Sequence, residues 1–221
     1  MEAPAYSLQP HATARHTYDR LSGWYDLLAR SERKFVRQGV EMLALQPGES
    51  SLEIGPGTGH ALLALARAVG PLGQVYGVDI SPGMLHQAKQ KLSRAGLSRP
   101  VRLVCADGAR LALESSCFDA ALLSFTLELF DTPDIPLVLG ECRRVLRDGG
   151  RLCVVALARE GGSRLMLRLY NWAHARFPTW VDCRPILPAR LLQDNGFRIQ
   201  EVVRGGMWGL PVQVVLASRA P

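Results

Sequence analysis

Residues 50 to 60 read SSLEIGPGTGH: a short apolar stretch, Leu52 to Ile54, then glycines at 55, 57 and 59, and after them the run ALLALARAV. The pattern predicts a strand, a tight loop and a helix, because glycines at such a junction allow φ > 0 and bring the backbone close to a ligand. The first N–H groups of the helix have no intrahelical partners and face the same loop. A nucleotide-like ligand is the first expectation.

The spacing of the glycines decides more than their number. A dinucleotide loop reads G-x-G-x-x-G, its last glycine packing helix on strand, whereas His60 stands at that place here. An acid, Glu53, precedes the loop, badly placed beside a phosphate and well placed beside a cation. The run E-x-G-x-G-x-G at a strand end, Glu53 to Gly59, resembles the first motif of class I S-adenosylmethionine (SAM)-dependent methyltransferases. The resemblance implies that Glu53, Gly55, Gly57, Thr58 and Gly59 bind SAM.

Downstream, QVYGVD predicts a second strand ending in Asp79. An acid about 20 residues after the glycine loop is where an α/β nucleotide site accepts ribose hydroxyls, which serves NAD or SAM equally; alternatively Asp79 caps the helix starting near Pro82. The continuation D-I-S-x-x-M, with Ile80 and Met84, again resembles the methyltransferases, where such residues flank ribose and adenine. VRLVC predicts a third strand, followed by Asp107-Gly108, by itself a common turn. In the resembled family an acid there accepts from the adenine amino group and the small residue after it admits the ring. CFDAALLSF predicts a fourth, buried strand with Ser124 at its ligand end; Glu128, just beyond, either reaches the pocket or is an exposed carboxylate at a helix start. A helix over 133–146 and a turn at Asp148-Gly149-Gly150 lead to a fifth strand, Leu152 to Leu157, and the L-x-x-G-G-x-L run also resembles the family. A helix ends at Asn195-Gly196, and strands near 197–203 and 212–217 close the chain.

Strand and helix alternate from residue 50 onward, which predicts an α/β, Rossmann-like, doubly wound sheet, seven-stranded and mostly parallel with a C-terminal antiparallel hairpin strand. Residues 1–45 are expected to form a tail and helical lid, and 46–221 the methyltransferase domain. The pairs Tyr18-Asp19 and Tyr25-Asp26 resemble an N-terminal feature of the ubiquinone and menaquinone biosynthesis branch, which implies that Tyr25 contacts the methionine part of SAM. That branch carries a glycine-and-arginine-rich run near the fourth helix; here LELFDTPD occupies 127–134.

Substrate choice is expected from a lid insertion at about 159–190. Its part from Ser163 to Phe177 is helix-compatible, and Arg164 and Arg168 flank an apolar stripe with Trp172, as in a packed amphipathic helix or one touching a lipid surface over 163–180. His174, Asp182 and Arg184 are the candidate catalytic or orienting residues there.

The net charge of +6 comes mainly from arginine, and it forms no basic run interleaved with stacking residues, so a nucleic-acid partner is not expected. Five cysteines without C-x-x-C pairing predict neither a disulfide framework nor a metal site, and instead reduced, mostly buried thiols. No apolar run approaches about 20 residues, which suggests a cytoplasmic protein, at most peripheral to a membrane. The reading is methyl transfer from SAM to a small apolar or amphipathic acceptor, quinol- or phenol-like, at carbon or oxygen. A phospholipid or small-amine N-methyltransferase and a non-catalytic SAM-binding protein are the alternatives.

Overall fold

The computed structural model describes residues 22–161 and 184–220, with side chains from residue 32 onward. A long helix α1 (Ser22–Leu43) precedes β1 (Ser50–Ile54), α2 (His60–Val69), β2 (Gln74–Asp79), α3 (Pro82–Arg94), β3 (Val101–Cys105) and β4 (Phe118–Ser124). A 3₁₀ turn (Leu127–Leu129), α4 (Ile135–Val145), β5 (Leu146–Leu157), α5 (Pro188–Asp194), β6 (Phe197–Met207) and β7 (Leu210–Arg219) complete it.

Local chemistry sets most of these elements. In α2 the buried residues Ala61, Leu62, Leu65, Ala66 and Val69 recur at helical spacing, and Gly70 stops the helix at φ 67° while donating its N–H to Ala66. Helix α3 opens on Ser81, whose hydroxyl accepts the N–H of Met84 at 3.3 Å, with Pro82 in the first turn. Four consecutive residues of β4, Ala120 to Leu123, are wholly buried, as a parallel strand covered on both faces requires.

The sheet has seven strands in the order β3-β2-β1-β4-β5-β7-β6. The first five run parallel, and β7 is antiparallel to both β5 and β6, the architecture expected from the sequence. One core packs α1, α2 and α3 on one face, with Phe35, Leu62, Leu92 and Leu122 among its members. A second core packs α4 and α5 on the other face, through Ile54, Leu123, Leu139 and Leu192. Each fully buried leucine contributes roughly 1.5–3 kcal/mol.

Three strands differ from expectation in their bounds. β5 begins at Leu146, and the Asp148-Gly149-Gly150 turn lies inside it as an interruption: Phe118 pairs with Leu146, and pairing resumes at Ala120 and Arg151. The last two strands run on to Met207 and Leu210, because their pairing continues to a two-residue turn. The thiols are also less uniformly buried than expected, with Cys142 and Cys153 buried, Cys117 half-buried and Cys105 exposed. Cys183 lies outside the described residues.

Candidate functional site at the carboxyl ends of the strands

All five parallel strands end on the same side of the sheet, where the order turns from β1 to β4, and ligands bind at such a switch point. The glycine loop leaves β1 there. Gly55 has φ 69°, and a Cβ on it would lie 2.3 Å from Cγ2 of Thr126. Gly57 has φ 51° and nothing within 4 Å of where its Cβ would be, so open space lies over the loop at that residue. Gly59 is the N-cap of α2 and packs on Ala88, while Thr58 accepts a hydrogen bond from Lys91 Nζ at 3.0 Å. The Lys91 side chain is half-buried.

Asp79, at the end of β2, bridges two elements. One carboxylate oxygen accepts the N–H of Gly57 at 3.1 Å and the other that of Ser81 at 2.9 Å. Ser81, not Asp79, caps α3. Each oxygen of Asp79 keeps a further lone pair for a hydroxyl donor.

Glu53 is 2% exposed, and its Oε2 has no hydrogen-bond partner. Burial away from water, and secondarily the Asp79 carboxylate, push its pKa up to about 8. An acid left this way beneath the loop is suited to a cation arriving above it.

Most of the other described residues singled out in the sequence stand at or just after the carboxyl ends of β2, β3 and β4. Ile80 is 74% exposed at the end of β2, and Met84 sits half-buried in the first turn of α3. Asp107 follows β3 and accepts the N–H of Ala109 at 2.9 Å. Gly108 packs against Ile54 and Phe130, which would lie 2.7 and 3.1 Å from an added Cβ, so its size is demanded by the protein's own packing. The Ser124 hydroxyl, at the end of β4, is buried without a partner. Arg184 donates to the Phe130 carbonyl at 3.0 Å. The side chain of Tyr25 and all of His174, Asp182 and segment 163–180 lie outside the described residues.

Thr126 and the Glu141–Arg144 pair had no legible sequence signal, and for Glu128 the sequence left two places open. Thr126 fills the space beneath Gly55, its hydroxyl within hydrogen-bonding reach of the carbonyls of Gly55 (3.2 Å) and Ser124 (3.0 Å). Glu128 is 2% exposed, not the exposed helix-start carboxylate that was one expectation, and its Oε1 accepts the N–H of Leu157 at 3.1 Å. Behind Asp107, Arg144 donates to the carbonyls of Leu111 and Leu113 at 2.9 and 2.7 Å, and its partner Glu141 accepts the N–H of Leu111 at 2.6 Å. A polar residue on a helix face carries no mark of the loop that it will hold.

A buried acid with a free oxygen, a loop open at Gly57 and an acid ending β2 fit a cationic nucleoside cofactor, and SAM is one. Residues 52–154 match the family model of the methyltransferase domain. Over these residues the chain is similar to a methyltransferase domain, and the site just described suits SAM as its cofactor.

Its sequence relatives include quinone methyltransferases. It is 34% identical over 147 residues to the 2-phytyl-1,4-naphtoquinone methyltransferase of Trichormus variabilis, covering 66% of this chain and 62% of that protein. It is 29% identical over 167 residues to a demethylmenaquinone methyltransferase of Geobacillus, covering 73% and 69%. The first of these matches thus spans less than two thirds of the relative's length.

Among solved structures, the fold is shared with a SAM-dependent methyltransferase of Aquifex aeolicus (TM-score 0.61, 21% identity, 83% and 88% of the two chains). It is shared also with the 1,6-didemethyltoxoflavin-N1-methyltransferase of Burkholderia thailandensis (TM-score 0.66, 19% identity, 100% and 94%), which was solved with S-adenosylhomocysteine.

Proposed function

We propose that the protein transfers the methyl group of SAM to a small apolar or amphipathic aromatic acceptor of the quinol or phenol kind, at carbon or oxygen. The observation that carries this is the composition of the ligand end. Of the five exposed large apolar side chains among the described residues, four (Ile80, Leu129, Leu137 and Trp208) stand on loops or helix starts at the carboxyl ends of the strands. An apolar rim around a site with buried acids suits a charged cofactor below and an apolar acceptor above. The quinone methyltransferases among its sequence relatives support the same acceptor class.

SAM when bound supplies an electrophilic methyl on a sulfonium, so the protein's work is alignment. In this reading Asp79 accepts from the ribose hydroxyls and Asp107 from the adenine amino group, with Ile80, Met84 and Gly108 around the ring. Glu53, Gly55, Gly57, Thr58, Gly59 and Tyr25 surround the methionine part, and Ser124 stands between cofactor and acceptor. An acceptor phenol must lose its proton to become a good nucleophile. Glu128, fixed by Leu157 at the ends of β4 and β5, brings a carboxylate to that side of the sheet. Arg184 orients the substrate segment through Phe130, and His174 and Asp182 stay candidates for the acceptor's polar contacts.

Residues before about 45 serve as a lid in this reading, although α1 from Phe35 onward packs on the sheet itself. The basic, Trp-bearing segment 163–180 and the apolar rim support contact of this end with a lipid surface, from which an apolar acceptor would be drawn. No helix among the described residues is long and apolar enough to cross a membrane.

The test is calorimetry with SAM against NADH, followed by transfer of labelled methyl to a panel of quinols, phenols and amines. Micromolar SAM binding with methylation of quinols or phenols is the expected result. Transfer to amines alone would replace the acceptor class, and absence of SAM binding would end the reading.

A further inference from the structure

The hairpin joining β6 to β7 rises on the ligand side of the sheet. Val212 pairs with Leu157, the last residue of β5, and the Pro211 carbonyl accepts the N–H of Ala158 at 2.8 Å. The pairs Gly206–Pro211 and Met207–Leu210 then carry the hairpin past β5, so its tip, Trp208-Gly209, stands about 10 Å beyond that strand's end. Leu157 is also the residue whose N–H binds Glu128. Hairpin, β5 and the acceptor side of the site therefore meet at one place.

The tip itself is unusual in its chemistry. Trp208 has φ 57° and Gly209 φ 77°, the pattern of a type I′ turn, in which Asn-Gly is the favoured pair. A bulky residue at positive φ is an outlier, and such strain persists where function holds it. Trp208 belongs to neither core cluster and is 44% exposed, while its neighbours Met207 and Leu210 are buried in the cluster that contains Phe35 and anchor the hairpin. Gly205, whose added Cβ would lie 2.6 Å from Phe35, allows that seating. What remains is a half-exposed indole at a hairpin tip on the ligand side of the sheet, in a turn that would be better made without it.

We infer that Trp208 is a specificity-determining residue, whose indole forms the wall against which a planar two-ring aromatic acceptor stacks. The inference rests on the aromatic-acceptor reading proposed above. Stacking geometry rewards a flat, extended ring system over an aliphatic amine. Trp208 thus discriminates at the acceptor step without touching the cofactor.

The probe is menadione, a naphthoquinone that quenches indole fluorescence, titrated into the SAM-bound full chain of wild type, Trp208→Phe and Trp208→Gly. Expected is menadione binding about tenfold weaker in Trp208→Gly, and within about threefold of wild type in Trp208→Phe, with SAM affinity unchanged in both. Trp208→Gly should also melt no lower than wild type, because glycine relieves the positive φ. Equal menadione affinity in wild type and Trp208→Gly overturns the assignment, as does a lowered melting temperature with parallel loss of SAM and menadione binding, which would make the residue structural. If the wild type binds SAM but not menadione, the aromatic-acceptor reading falls first and the stacking role with it.

Discussion

Asp79 Oδ2 accepts the amide N–H of Gly57 at 3.1 Å, joining the end of β2 to the glycine loop across 22 positions of the chain. With Oδ1 on Ser81, the same carboxylate fixes the start of α3. Loop shape and the proposed hydroxyl recognition thus depend on one side chain. Asp79→Ala should weaken SAM binding by roughly 10- to 150-fold, the equivalent of about 1.5–3 kcal/mol for charged hydrogen bonds. Calorimetry decides it, and an unchanged affinity would remove Asp79 from the site.

Two glycines of the loop should fail in different ways. Gly55→Ala drives a methyl into Thr126 and keeps a positive φ, costing roughly 2–4 kcal/mol of stability. Gly57→Ala meets no protein atom and costs only about 1 kcal/mol for its φ, a fall of about 2–4 °C in Tm. Its methyl projects into the space proposed for SAM, so affinity should drop at least about tenfold. Melting curves with and without SAM separate the two, and a Gly57→Ala protein that SAM stabilises like wild type contradicts the placement.

With Glu53 in its proposed place beside SAM, cofactor binding is expected to depend on pH. Its folded pKa is raised, from the usual 4.5 to about 8, so the stability it contributes is complete below pH 4.5 and is lost as pH climbs through 8. The melting temperature of the SAM-free protein should therefore fall between about pH 5 and 8 relative to Glu53→Gln. A cationic cofactor favours the ionised acid, so SAM binding near pH 7 should release a proton and tighten as pH approaches 8. Calorimetry in buffers of different ionisation enthalpy measures that proton; its absence, or its persistence in Glu53→Gln, refutes the linkage.

The Glu141–Arg144 clamp acts through the segment that follows Asp107. Arg144→Gln keeps a single donor nitrogen and loses the two-nitrogen fork that holds Leu111 and Leu113. The expected signature is a KM for SAM raised by about tenfold, with kcat at saturating SAM little changed, and partial recovery in Arg144→Lys. An equal fall in kcat with KM untouched would place the clamp outside cofactor binding.

How much of this was written in the sequence depends on distance along the chain. The glycine loop, the acids at 53, 79 and 107 and the βα alternation are local signals, set by turn chemistry, apolar period and the position of an acid after a strand. They determined the fold and the class of cofactor. The orphaned oxygen of Glu53, the Asp79–Gly57 bond, the burial of Glu128 and the clamp from α4 depended on which strands became neighbours. Trp208 illustrates the limit best. In sequence it lies in a glycine-rich turn that finishes a sheet, and only the pairing of β7 with β5 lifts that turn beside the site. Burial and long-range pairing are properties of the assembled sheet, and no local pattern of residues encodes them.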